Sequence, residues 1–96
     1  MPIVRFSQRA LNDLDRIFDF LADADPVAAR RAGAAIIDAT GILQQHPMIG
    51  RPVHGNMREL IISHGSAGYV ALYRYLPRRD RGDVLAIRHQ REAGYA

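Results

Sequence analysis

Ninety-six residues without a cysteine, carrying a formal charge of +3, make a single small domain (residues 1–96) that buries only about 60 to 65 per cent of the surface its unfolded chain exposes. Disulfides and thiolate chemistry are excluded, no run approaches the roughly 18 apolar residues of a membrane span, and "MPIVRFSQRA" lacks the layout of a signal peptide, so a reducing cytoplasm is expected. All thirteen basic residues are arginine: residues 1–50 hold five against six aspartates, and residues 51–96 hold eight against four acids.

In chain order, "IVRF" (residues 3–6) alternates as a short strand. Ser7 is placed as an N-cap, and Leu11, Leu14, Ile17, Phe18 and Leu21 recur at spacings of three and four, which predicts an amphipathic helix over roughly residues 8–23. Most of Asp13, Asp15, Asp19 and Asp23 are expected to face water. "DADP" then offers Asp25 as a cap and Pro26 at the first helical position. The second helix repeats Ala29, Ala32, Ile36, Ala39 and Leu43 up to "QQHP", where Pro47 stops it. Its small side chains suit a close antiparallel helical hairpin. "HPMIGRPVHGN" reads as an ordered loop, after which the period changes to two in "MRELIISH", "GYVALYRYL" and "DVLAIRHQ". Their linkers, "GSAG" and "PRRDRG", carry turn chemistry. The expected fold is α+β: an N-terminal strand and helical hairpin packed on an antiparallel β-sheet, in the order β-α-α-β-β-β, with the other sheet face open to a partner.

The basic C-terminal half suits an acidic partner, polyanion or protein, although GC-rich coding is an equal explanation for arginine in place of lysine. Alternation sends Val70, Leu72, Arg74 and Leu76 to one face of the middle strand and Tyr69, Ala71, Tyr73 and Tyr75 to the other. In the last strand Leu85, Ile87 and His89 share a side, opposite Ala86, Arg88 and Gln90. Arginine-bearing sides are expected to be the less buried, because an unpaired buried guanidinium is costly. Arg58, Arg74 and Arg88 would then cluster, or serve as ordinary surface cations paired with Glu59, Asp80 and Asp83. The strand tyrosines fit packing better than base stacking. RNA cleavage without a metal needs a base, an acid and phosphate-holding cations. His89, Arg91 and Tyr95 supply those types, yet a lone histidine at a strand end is more often structural. His46, His54, His64 and His89 lack ligand spacing, so no metal or other cofactor is expected.

Four stretches, "ALNDLDRIFDFLA", "LQQHPMIGRPVHGNMRELII", "GYVALYRY" and "VLAIRHQREAGY", together resemble the ParE/RelE superfamily of type II toxin–antitoxin toxins, and its ParE branch in particular, over nearly the whole chain. The resemblance implies the fold just described and a cognate antitoxin as partner in a hetero-oligomer, with operator DNA reached only through the antitoxin. For the ParE branch it implies a non-catalytic poison of DNA gyrase that blocks replication. For the RelE branch it implies a ribosome-dependent mRNA endoribonuclease, with Arg58, His89, Arg91 and Tyr95 as the residues to carry it. A third reading is a non-toxic antitoxin-binding regulatory module. The arginine that RelE-like toxins carry after "GY" is Val70 here, and the chain has no lysine, which favours the gyrase reading. Arg58, Arg74, Arg88, Arg91 and Tyr95 are the expected target-binding residues, and Arg58→Ala or Arg91→Ala is expected to lower toxicity with the fold intact.

Overall fold

A computed structural model describes residues 1–95. Strand β1 (Ile3–Phe6) leads into helices α1 (Gln8–Ala22) and α2 (Pro26–Thr40), and α2 runs on as a 3-10 turn, Gly41–Gln44. The sheet follows as β2 (Arg51–Pro52), β3 (Met57–His64), β4 (Ala67–Leu76) and β5 (Arg81–His89).

Both helix starts are built as the sequence predicts. Ser7 Oγ accepts the Ala10 N–H at 3.0 Å and donates to the Leu85 carbonyl at 2.9 Å, tying the start of α1 to β5. Asp25 accepts the amides of Val27 and Ala28 at 3.0 and 3.2 Å, with Pro26 at the first helical position. Each cap satisfies amides that have no intrahelical partner and contributes about 1 kcal/mol.

β3, β4 and β5 form the expected antiparallel meander. β3 and β4 meet through a two-residue turn in which Gly65 takes φ +60°, a left-handed value that glycine adopts without strain. The full order is β1-β5-β4-β3-β2, and β1 lies parallel to β5. The sheet is therefore mixed, and β1 extends it at the edge; it does not pack on a face. Parallel neighbours need a long crossover, which the helical hairpin and the rest of the sheet provide. The loop adds a second difference, since Arg51 and Pro52 pair with Glu59 and Arg58 as a short edge strand, a place where proline loses no needed ladder bond.

The hairpin covers one sheet face. Ile17 and Ile36 from the helices meet Ile62, Tyr69, Tyr73 and Ile87 from the sheet. The α1 stripe is narrower than its periodicity suggests: Leu14 and Leu21 pack against the core, whereas Leu11 and Phe18 are 43% and 39% exposed. Between Ala86 and Val84, which pair with Leu72 and Tyr73, Leu85 is an extra residue. This bulge resets the alternation. Val84 and Ile87, three apart, both join the core, and Leu85 does not extend the Ile87 row.

Candidate functional site

The tyrosine face of β4 is the packed one. Tyr69, Ala71 and Tyr73 are each at most 2% exposed, so these rings are core and offer no stacking platform. The opposite face carries Glu59 and Ile61 from β3, Val70, Leu72 and Arg74 from β4, and Asp83, Ala86 and Arg88 from β5.

That second face is not simply open. The segment after β5 folds back over it and brings Tyr95 there, whose hydroxyl donates to Glu59 Oε2 at 2.7 Å. The Arg88 guanidinium lies 5.2 Å from the Tyr95 ring centroid, within cation–π range. Its Nη1 donates to the carbonyls of His89, Gln90 and Glu92 at 3.2 to 3.3 Å. Arg51 completes the patch with a 2.8 Å ion pair to Glu59 Oε1. The hydrogen bond from Tyr95, helped by Arg51, holds the Glu59 carboxyl below its ordinary pKa against the opposing effect of burial. Burial and the facing carboxylate push the Tyr95 phenol well above its ordinary value. Tyr95 is thus a poor proton carrier near neutral pH and a good latch.

Arg58 does not join Arg74 and Arg88. It pairs with Tyr73 across the ladder, so its side chain lies on the tyrosine face, while Met57 and Glu59 share the face of Arg74. There Arg58 Nη1 donates to the carbonyls of Met48 and Gly50 at 3.1 and 2.8 Å. Tyr73 grips the same loop: its hydroxyl accepts the Gly50 N–H at 2.8 Å and donates to the Pro47 carbonyl at 2.9 Å. A Cβ on Gly50 would fall 2.5 Å from the Tyr73 ring, so only glycine permits this approach. The "HPMIGRPVHGN" loop is ordered, as expected, because Tyr73 and Arg58 clamp it. Arg58 therefore helps hold this loop, and replacing it is expected to cost stability.

His89 and Arg91 occupy a third place. They line an open groove of 510 Å³ between the second half of α1 and the far end of the sheet, with Arg16, Phe20, Tyr69 and Glu92. His89 stands edge-on to Tyr69 at 5.3 Å, and its Nδ1 accepts the Arg91 N–H at 3.0 Å, which leaves Nε2 as the protonated nitrogen of the neutral ring. Glu92 bridges the groove, accepting the His89 N–H at 2.9 Å and pairing with Arg16 at 3.1 Å. These partners lower its pKa despite the opposing effect of burial. Among the described residues no three histidines or acids come together to hold a metal ion, and no helix is long and apolar enough to cross a membrane.

Helical periodicity also misses Asp13. It is 5% exposed, and its Oδ2 accepts the Ile87 N–H at 2.8 Å. This is the β5 amide left without a strand partner where β1 ends and α1 begins. The one signal for it in the sequence is position: Asp13 lies three residues from Ala10 and four from Ile17, on the buried stripe.

A model of the family described as the ParE toxin of the type II toxin–antitoxin system parDE matches residues 4–94. Toxin RelE3 of Caulobacter vibrioides is 39% identical over 92 residues, covering 96% of this chain and 98% of that protein. Toxin RelE1 of the same organism is 38% identical over 73 residues, covering 76% and 78%. Among solved structures, a chain of the chromosomal ParDE TA system from P. aeruginosa matches with a TM-score of 0.78 at 25% identity, covering 93% of this chain and 96% of that one. A chain of the RelBE2 toxin–antitoxin complex from Mycobacterium tuberculosis, at 23% identity and a TM-score of 0.65, shares the fold over 95% of this chain and 93% of its own. Strand order, helical hairpin and family match agree: the chain belongs to the ParE toxin family of type II toxin–antitoxin systems, within the ParE/RelE superfamily.

Proposed function

We propose that this toxin inhibits DNA gyrase in the cytoplasm by binding, with no bond-breaking step of its own, and that a cognate antitoxin neutralises it. One observation carries the reading: the residues a ribonuclease needs are held in three separate places. Arg58 is bound to loop carbonyls, and His89 and Arg91 sit in the α1 groove. Tyr95 is latched to Glu59 on the opposite face of the sheet. Arg58 and His89 pair with Tyr73 and Tyr69, four residues apart on β4, a separation of about 13 Å along the strand. A single scissile phosphate cannot meet a base, an acid and a cationic clamp so dispersed. The position where an arginine would hold that phosphate is Val70, 1% exposed.

Adhesion asks less of the geometry. Arg74, Arg88 and Tyr95 share one face and Arg91 flanks its end; these form the target-facing surface, and Arg58 acts through the loop it positions. Phe18, Phe20, Val27 and Ile37 of the hairpin, 39 to 77% exposed, offer the antitoxin apolar side chains to cover. Specific recognition of operator DNA comes only through the antitoxin in this reading.

The RelE names of the Caulobacter relatives keep a second reading in view, that of a ribosome-dependent mRNA endoribonuclease. Incubating the pure toxin with gyrase and supercoiled plasmid, and separately with translating ribosomes, tests both. Gyrase-dependent linear plasmid with intact message is the expected outcome. Cut message with unaffected gyrase would establish the second reading, and inactivity in both would leave a non-toxic regulatory module.

A further inference from the structure

The β4–β5 hairpin end carries a charge concentration that neither the latch nor the groove uses. Arg5, Asp83 and Arg74 lie directly opposite one another on three adjacent strands, β1, β5 and β4. Arg81, two residues before Asp83 on the same face, pairs with it at 2.9 Å, and Arg74 approaches it at 3.7 Å. Two guanidinium groups thus converge on a single carboxylate, with Arg5 beside it on the neighbouring strand and not ion-paired to it. The buried Nε atoms of Arg74 and Arg81 are the ones turned to Asp83, and Arg81 Nη2 donates to its other oxygen at 3.3 Å. One carboxylate has about four acceptor sites and two guanidinium groups have ten N–H donors, so Asp83 holds Arg74 and Arg81 without saturating them.

The turn just beyond adds Arg78 and Arg79, both exposed. The side chains of Arg5, Arg78 and Arg79 make no hydrogen bond or ion pair among the described residues. Asp80, the one other acid here, is engaged by the Tyr75 hydroxyl at 3.1 Å and faces the N-terminal amine at 3.9 Å. Five arginines therefore stand against two occupied carboxylates in one corner of the sheet.

We propose that this ridge, formed by Arg5, Arg74, Arg78, Arg79 and Arg81, binds the phosphate backbone of duplex DNA without regard to sequence. Planar guanidinium forks match phosphate oxygens, and a cluster with surplus donors is the electrostatic footprint of backbone binding. Single strands are the poorer fit, because they are gripped by exposed aromatic faces and the one tyrosine here, Tyr75, is half-buried with its hydroxyl held by Asp80. The inference deepens the gyrase reading and rests on it for its use: a toxin that also touches the DNA passing through gyrase gains hold on the enzyme at work.

The test leaves gyrase out, so that failure of this inference and failure of the gyrase reading are distinguishable. Fluorescence anisotropy of the full-length toxin with a short labelled duplex is followed as salt rises. With four to five phosphate contacts the slope of log K against log salt is about −4, and raising salt from about 50 to about 200 mM weakens binding roughly 200-fold. Arg78→Ala with Arg79→Ala should reduce the slope by about two and cost at least tenfold in affinity at low salt, with an unchanged unfolding curve because both side chains are exposed. No binding at low salt, or binding indifferent to the double variant, overturns the proposal. So does polyglutamate binding as tightly as duplex, or single-stranded RNA binding tighter.

Discussion

Removing the Tyr73 hydroxyl isolates the clamp that holds the loop before β3. Tyr73→Phe keeps the ring, which is fully buried, and deletes two hydrogen bonds, the one accepted from Gly50 and the one donated to Pro47. The volume change is one oxygen atom, so the cavity contribution is small. The cost comes from stranding polar groups: the Gly50 amide lies in the buried bond and loses its partner, a penalty of about 1–3 kcal/mol, and the Pro47 carbonyl, half-exposed, recovers part of its loss from water. A total near 2–3 kcal/mol lowers Tm by about 10–20 °C for a domain of this size. In urea the midpoint should fall while the slope m stays constant, because the surface exposed on unfolding is unchanged. Hydrogen exchange at Gly50 should accelerate as well. A loss below about 0.5 kcal/mol with the Gly50 amide still protected would refute the assignment of loop order to this hydroxyl.

Asp13→Ala leaves the Ile87 amide unpaired and should cost about 2–3 kcal/mol, whereas Asp13→Asn keeps an acceptor and should recover more than half of that in denaturant melts. Arg58→Ala frees two loop carbonyls and should lower stability by about 1–3 kcal/mol, so any drop in its toxicity has to be judged against the amount of folded protein. Tyr95→Phe removes the hydrogen bond to Glu59 and should raise the Glu59 pKa, read by carboxyl NMR. Glu59 is more acidic folded than unfolded, so its contribution is present above the unfolded value, near 4.5, and is lost as pH falls through the lower folded value. The Tyr95 ring should accordingly detach in acid, seen as loss of its contacts to Arg88 while the core melts later.

Much of the scaffold is legible in the residues themselves. Ser7, Asp25 and Pro26 announce both helix starts, and the change of period after Asn56 announces the sheet. The face of Arg58 was also within reach: a two-residue turn at Gly65 and Ser66 pairs His64 with Ala67, and counting back along that register sets Arg58 against Tyr73. Alternation within each strand alone does not carry that register, and by itself sets Arg58 with Arg74. The bulge at Leu85, the parallel seat of β1 and the return of Tyr95 to Glu59 depend on contacts between residues 11 to 78 positions apart, and no local pattern encodes them. The burial of Asp13 has no local signal, because the acid on this apolar stripe is satisfied chiefly by the stranded amide it meets 74 residues later.

The claim that this toxin works by adhesion is tested most directly inside cells, by inducing it and mapping DNA ends and RNA ends from the same culture. Double-strand breaks with gyrase attached and messages no more fragmented than in uninduced cells are the predicted result. Messages cleaved within codons at the ribosome, with chromosomal DNA intact, would contradict it.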